Sequence, residues 1–187
     1  IRSVDMAQFS ATETSPVNDP MITAPATATS RFNLNNAAEL RLATMSKLVL
    51  DGFAGVGTFC DLGYDYHTQN RAAGEAKDFM AGQFLGKTFE LAAAKKRDLM
   101  IYVFTDGGVS SNGGIDGSVA GRGKCNWNSD SGERGAVFLL AYGANGRPKI
   151  RNNLRQIGAF HATGAVDRSN RNPANRISGD VTTLAKV

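Results

Sequence analysis

A carboxylate and an imidazole stand two residues apart in the segment Gly63-Tyr64-Asp65-Tyr66-His67, which follows the apolar run from Ala54 to Cys60. The chain has only two histidines, so a histidine close to Asp65 is informative. A carboxylate with an imidazole suits Zn or Mn, whereas carboxylates alone suit Mg or Ca. The segment therefore predicts a divalent metal site. The alternative is that Asp65 caps a turn and His67 is an ordinary loop histidine.

A second apolar strand, predicted from Leu99 to Phe104, also ends close to a carboxylate, Asp106. The segment between the two strands, from about Gly74 to Lys96, has the apolar spacing of a helix. Its predicted buried face comprises Met80, Phe84, Leu85, Phe89 and Leu91. Strand, helix and strand in this order form a parallel crossover unit, and such sheets bind ligands beyond the carboxyl ends of their strands. The pattern therefore predicts that Asp61 and Asp106 join Asp65 and His67 at one edge of a sheet.

Further elements flank this predicted unit. Asn36 followed by Glu39 resembles a capping box at the start of a helix, and Gly52 stands where a left-handed helix end requires glycine. The run from Gly135 to Tyr142 is predicted to be a third buried strand. Residues 106–134 are rich in glycine, serine and asparagine, so they are predicted to be a long loop without helix or strand.

The arrangement of these elements predicts the domain organisation and the fold class. Residues 1–34 are expected to form an extended amino-terminal arm, because prolines interrupt any long helix there. Residues 35–187 are expected to form one α/β domain, with a loop-rich basic tail from about residue 147. The predicted fold is a three-layer α/β sandwich with a mostly parallel sheet.

Composition narrows the classes of protein to which the chain can belong. Its 187 residues are 42% hydrophobic and 20% charged, which is ordinary for a soluble globular domain. No apolar run reaches the roughly 18 residues of a membrane helix, so no membrane span is predicted. The net charge is +4, and the basic tail lacks the aromatic residues that stack on bases, which argues against nucleic-acid binding.

Two features concern processing and redox state. The chain starts at Ile1 without an initiator methionine, so it is expected to be processed or part of a longer protein. Cys60 and Cys125 are its only cysteines. They form either one disulfide, worth roughly 4 kcal/mol for a loop of about 65 residues, or two buried free thiols. The sequence leaves both possibilities open.

In chain order, these motifs resemble an exported bacterial family of unknown function that is related to the alkaline phosphatases and arylsulfatases. The resemblance covers about residues 40–145 and rests on four segments: Gly63 to His67, Leu99 to Gly108, Ser129 to Gly132, and Val137 to Gly143. It implies an alkaline-phosphatase-like fold and a secreted, periplasmic or cell-surface location. It also implies four metal-binding residues: Asp65, His67, Asp106 and Asp130.

The chain departs from the family pattern at positions that matter for catalysis. Gly107 stands where a histidine often follows the metal-binding acid, and Ser131 replaces the histidine of the third motif. Residues 1–39 contain nothing that resembles the family's nucleophile. The predicted function is therefore a non-catalytic or degenerate member that acts as an extracellular structural or binding protein. Its partner would be a second copy or another extracellular protein.

The alternative prediction is a metal-dependent hydrolase of phosphate or sulfate esters. In that enzyme the metal would polarise the ester oxygen and activate the attacking group.

Overall fold

A computed structural model of the chain describes residues 9–25, 32–64, 71–104, 108–110, 114–119, 121–125, 129–131, 137–149, 159–161 and 166–167. The chain divides into two compact units. The first comprises Ile1–Tyr64, Glu75–Ile101 and Ala141–Arg147, and the second comprises Asp65–Gly74, Tyr102–Leu140 and Pro148–Val187. The buried apolar residues identified among the described residues all belong to the first unit.

Short helical turns occupy the described part of the predicted amino-terminal arm. They are α1 (Ala11–Thr14), a 3-10 turn (Pro16–Asn18) and α2 (Pro20–Thr23). The 3-10 turn and α2 each begin with a proline, which suits the first helical position because its missing N–H is not needed there. Asp19 caps α2 by accepting the Met21 backbone N–H at 2.9 Å. Ile22 is fully buried, so this segment is anchored in the core.

The predicted first long helix is confirmed as α3 (Ala37–Leu50). The Asn36 side chain caps it by accepting the backbone N–H groups of Ala38 and Glu39. The Glu39 carboxylate does not complete a capping box, because it accepts the Asn33 backbone N–H at 2.7 Å instead. The helix ends at Leu50 with Asp51 as its C-cap, and Gly52 follows with a φ of 84°, the left-handed conformation that glycine adopts at low cost.

The predicted second helix is also confirmed, as α4 (Arg71–Ala94), but its buried face is shorter than predicted. Phe84 and Leu91 are buried, whereas Met80 is exposed. The 24 residues of α4 span about 36 Å and the 14 residues of α3 about 21 Å, so α3 cannot cover all of α4. None of the helices in the described residues has the length and apolar character that crossing a membrane requires.

The core of the first unit is built from α2, α3, α4 and Phe32, which precedes α3. Eight buried apolar residues form it: Ile22, Phe32, Leu42, Ala43, Leu50, Phe84, Leu91 and Ala92. The rings of Phe59 and Phe84 meet edge to face with their centroids 5.7 Å apart, a favoured aromatic geometry. This packing attaches the segment before Cys60 to α4.

The described strands form four separate two-stranded sheets. They pair as β1 (Leu99–Val103) with β6 (Phe138–Tyr142), β2 (Gly108–Ser110) with β5 (Ser129–Ser131), β3 (Ile115–Asp116) with β4 (Lys124–Cys125), and β7 (Ala159–Phe160) with β8 (Val166–Asp167). The last three pairs are antiparallel.

The predicted three-layer α/β sandwich with a mostly parallel sheet is therefore wrong. Residues 54–60 form no strand and are mostly exposed, so the predicted parallel crossover has no first strand. Gly55 and Gly57 explain this locally, because glycine weakens a strand interior and offers no side chain to pack. The predicted strands at 99–104 and 135–142 are confirmed in part, as β1 (Leu99–Val103) and β6 (Phe138–Tyr142). The prediction that the second of them is buried is wrong, because its residues are exposed or half-buried.

The glycine-rich segment 106–134 was predicted to lack regular structure, and this is also wrong. It contains β2, β3, β4 and β5. These strands have only two or three residues each, too short for a periodic pattern to identify.

Candidate functional site

The structure describes only one of the four predicted metal-binding residues. Asp65, His67 and Asp106 lie outside the described residues. Asp130 lies in β5, where it stands opposite Val109 of β2. The part of the chain that is described contains no group of three or more histidines, cysteines or acids arranged to hold a metal ion. The divalent metal site therefore stays a prediction.

Asp61, which was predicted to join that site, has cationic and phenolic partners. Its Oδ2 accepts a hydrogen bond from the Tyr64 hydroxyl at 2.9 Å and lies 3.3 Å from Lys77 Nζ. Lys77 Nζ also lies 5.0 Å from the centroid of the Tyr64 ring, within cation–π range. These contacts fasten the start of the Gly63 to His67 segment to α4.

Cys60 precedes this segment and is a free, exposed thiol. The disulfide with Cys125 is therefore not formed in the structure. Because Cys60 is exposed, it also does not fit the alternative of two buried free thiols.

A cluster of buried charges, the ionic cluster, lies in the first unit and consists of Asp19, Lys47, Asp51 and Lys95. Lys47 Nζ lies 3.2 Å from Asp19 Oδ2 and 2.7 Å from Asp51 Oδ2. Lys95 Nζ lies 2.7 Å from Asp19 Oδ2 and 2.7 Å from Asp51 Oδ1. Each lysine therefore contacts both aspartates, and the four residues form a closed ring of ion pairs.

Three chain segments meet at the ionic cluster. Asp19 is the cap of α2, Lys47 lies in α3 with Asp51 as the residue that ends it, and Lys95 directly follows α4. The side chains of Asp19, Lys47 and Lys95 are at most 10% exposed. Because buried charges are costly unless they are paired, the ring fixes the relative positions of these three segments.

The pKa values of the cluster show which protonation states it holds. Burial raises the pKa of Asp19, but hydrogen bonds from Lys95, the Met21 N–H and Lys47 outweigh it and hold that pKa below the ordinary 3.8. Burial likewise opposes ionisation of Asp51, and hydrogen bonds from Lys47 and Lys95 lower its pKa below 3.8. Burial lowers the pKa of Lys47, but hydrogen bonds to Asp51 and Asp19 raise it above 10.5.

The directions of these pKa shifts determine what the ionic cluster can do chemically. A lysine that acts as a nucleophile or base needs a lowered pKa, whereas that of Lys47 is raised. Asp19 and Asp51 are held as ions by two ammonium groups, so neither is a proton donor near neutral pH. The cluster therefore stabilises the packing of these segments, and the sequence did not predict it. The available signal was Lys47 with Asp51 four residues later, a helical ion-pair spacing.

The pKa directions predict how stability depends on pH. The contribution of Asp19 and Asp51 is fully present above 3.8, their ordinary value, and is lost as the pH falls through their lower folded values. The contribution of Lys47 is fully present below 10.5 and is lost as the pH rises through its higher folded value. We expect the cluster's contribution to be constant between about pH 5 and 9 and to fall steeply in acid.

Urea unfolding followed by circular dichroism across this pH range measures the dependence. The matched control is the Asp19→Asn/Asp51→Asn double variant, which should lose less stability in acid than the wild type. Equal acid sensitivity in both proteins would contradict the assignment.

Four exposed apolar side chains of the second unit lie in or beside the paired strands β1 and β6, and they are called here the apolar strand patch: Tyr102, Phe104, Val137 and Leu139. These side chains are 58%, 64%, 48% and 54% exposed. The Tyr102 and Phe104 rings lie with their centroids 5.7 Å apart. Burial alternates along β1, which is typical of a sheet with one covered face and one open face. The patch was not predicted from the sequence, because the apolar runs predicted strands that are covered on both faces.

The geometry thus provides one internal ionic cluster and one exposed apolar patch, while most of the predicted metal ligands lie outside the described residues. The resemblance to the family related to alkaline phosphatases stays a prediction from the sequence motifs. Comparison with known proteins finds no matching family model, no matching curated protein and no matching solved structure.

Proposed function

We propose that this chain is a non-catalytic structural or binding protein that acts outside the cytoplasm, and that the apolar strand patch is its binding surface. The patch is the observation that carries the proposal. The extracellular location rests on the sequence resemblance, and the binding role rests on the exposed side chains.

The chemistry of the patch supports binding. Exposed aromatic and aliphatic side chains in contiguous groups are typical of interaction sites, whereas single exposed apolar residues are common on any protein. Aromatic residues are also enriched in protein interfaces, where they bury a large area at low entropic cost. Tyr102 and Phe104 meet both criteria, because they are adjacent and more than half exposed.

The ionic cluster supports the structural part of the proposal. Asp19 and Asp51 direct their oxygens to Lys47 and Lys95. The four charges of the ionic cluster thus stabilise the packing of helices. Gly107 and Ser131, which replace histidines of the family pattern, point in the same direction.

The test is a hydrolysis assay with metal analysis. We expect the purified chain to hydrolyse p-nitrophenyl phosphate and p-nitrophenyl sulfate no faster than its Asp65→Ala/His67→Ala variant, with Zn, Mn, Mg or Ca added. The reason is that two predicted metal-binding acids lack their histidine neighbours and no nucleophile is identified. Metal content is measured on both proteins by plasma mass spectrometry.

The matched control is an Asp116→Ala/His161→Ala variant, which removes the same residue types at positions that are not among the predicted ligands. Turnover, or about one equivalent of bound metal, that is lost only in the Asp65→Ala/His67→Ala variant would overturn the proposal. That result would establish the metal-dependent hydrolase alternative.

A further inference from the structure

We infer that residues 9–25, called here the anchor segment, are exchanged between two copies of this chain, so that each copy fills the other's seat. The seat is the surface that receives the anchor segment, and it includes Lys47 of α3, Phe53 beyond α3 and Lys95 after α4. The inference goes beyond the proposed function. It concerns the first unit, does not involve the apolar strand patch and holds whether or not the chain is catalytic.

The backbone of the anchor segment is hydrogen-bonded within the segment itself. The Ser10 carbonyl accepts the Glu13 and Thr14 N–H groups, and the Asp19 carbonyl accepts the Ile22 N–H. Among the described residues, every backbone hydrogen bond of the anchor segment has both partners inside the segment. Leaving the seat therefore breaks none of these bonds, unlike the removal of a strand from a sheet.

Side chains hold the anchor segment in its seat. Asp19 Oδ2 lies 3.2 Å from Lys47 Nζ and 2.7 Å from Lys95 Nζ. Ile22, three residues after Asp19, is fully buried in the core of the first unit. These contacts depend on the chemistry of the segment, so they are the same whether it belongs to the same copy or to a second one.

The seat has to be filled. Without Asp19, the two buried lysines would share Asp51 alone, and buried charges that lack partners are costly. Without Ile22, part of the apolar core would be exposed to water. An occupant must therefore present an acid at a helix start and an apolar side chain three residues later. A second copy provides this combination in full, which favours it over an unrelated protein.

Charge complementarity also favours a second copy. The anchor segment contains two acids, Glu13 and Asp19, and neither lysine nor arginine, whereas the whole chain has a net charge of +4. The anchor segment of one copy is therefore attracted to the remainder of another. Residues 26–31, which join it to Phe32, include no large apolar side chain that could anchor them. When extended, six residues span at most about 20 Å, so exchange requires the two copies to lie side by side.

The energetics predict when exchange occurs. The exchanged dimer retains the contacts of both seats, so it differs from two separate copies mainly in the entropy of association. The dimer should therefore form at high concentration. It should form slowly and persist after dilution, because the ionic cluster has to open before an anchor segment can leave its seat.

Two single-cysteine variants of the full chain test the exchange, both in a Cys60→Ser/Cys125→Ser background. One carries Phe9→Cys and the other Phe53→Cys, at positions whose rings meet edge to face with centroids 4.7 Å apart. The variants are mixed at about 500 µM, diluted to about 1 µM and treated with a short bismaleimide. A covalent dimer that joins positions 9 and 53 forms only where one copy's anchor segment occupies the other copy's seat.

Three controls define the expected yield of this dimer. A Val119→Cys variant mixed with the Phe53→Cys variant measures random collision, because Val119 is 95% exposed and lies outside the anchor segment. The pair at positions 9 and 53 should give about tenfold more dimer or better, since seated cysteines have a high effective concentration. Adding Ile22→Asp to the Phe9→Cys variant should reduce the yield to the collision level. Adding Tyr102→Ser/Phe104→Ser should leave the yield unchanged.

Sedimentation velocity of the wild type, incubated at about 500 µM and then diluted, gives a second measurement without substitutions and should show a dimer. The inference is overturned by a wild type that stays monomeric, or by a yield at positions 9 and 53 no higher than the collision level. Neither result depends on whether the Ile22→Asp variant folds. A dimer that is lost with Tyr102→Ser/Phe104→Ser and kept with Ile22→Asp also overturns it, because association would then belong to the apolar strand patch.

Discussion

Replacing Asp19 by alanine should lower the free energy of unfolding by about 3–5 kcal/mol, because the change leaves two buried lysines facing one aspartate. Lys47 and Lys95 both contact the lost carboxylate, at 3.2 and 2.7 Å. The cap of α2 is removed as well, which accounts for about 1 kcal/mol of the total. Urea unfolding at pH 7 measures the change.

The Asp19→Asn variant separates the charge from the cap, because asparagine caps a helix as well as aspartate does. We expect Asp19→Asn to lose most of the unfolding free energy that Asp19→Ala loses. The Asp19→Asn/Lys95→Met double variant restores charge balance and leaves Lys47 paired with Asp51, so it should be more stable than Asp19→Asn alone. Simple addition of the two single losses would show that the ionic cluster does not act as a unit.

Replacing Phe84 by alanine should cost about 3–5 kcal/mol of unfolding free energy, because it removes a buried ring and leaves a cavity. Phe84 lies in the core next to Phe59 and Leu91. Its loss also removes the edge-to-face contact with Phe59. Thermal and urea unfolding measure the change in stability.

Phe79→Ala provides a matched control on the same helix. Phe79 is 68% exposed and Phe84 is 8% exposed, so the two substitutions differ mainly in burial. Phe79→Ala should change the unfolding free energy by less than about 1 kcal/mol. Similar losses of unfolding free energy in the two variants would contradict the burial of Phe84 in the core.

The sequence predicted the helices better than the sheets. For α3, the cap at Asn36 and the glycine at Gly52 are local signals, because each acts on backbone groups within a few residues. For α4, the apolar spacing identified Phe84 and Leu91 but placed Met80 in the core as well. The pattern shows which face of α4 is apolar, whereas the tertiary packing decides how much of that face is covered.

The candidate site was predicted less well than the fold. The prediction centred on Asp65, His67 and Asp106, which lie outside the described residues, and that site stays a prediction. Neither the ionic cluster nor the apolar strand patch was predicted. The apolar run from Leu99 to Phe104 did predict a strand, but an apolar run does not reveal whether one face or both faces are covered.

By itself the sequence determined where α3 and α4 form and that 99–104 is extended. These outcomes depend on hydrogen bonds and side-chain spacing within a few residues. Only the tertiary structure decided that β1 pairs with β6 and that Asp19 meets Lys95, 76 positions further along the chain. Such contacts depend on which surfaces pack together, and the same residues read along the chain are compatible with several arrangements. The physical reason is that pairing partners are selected by the burial of whole faces and by the neutralisation of buried charge, and neither is a local property.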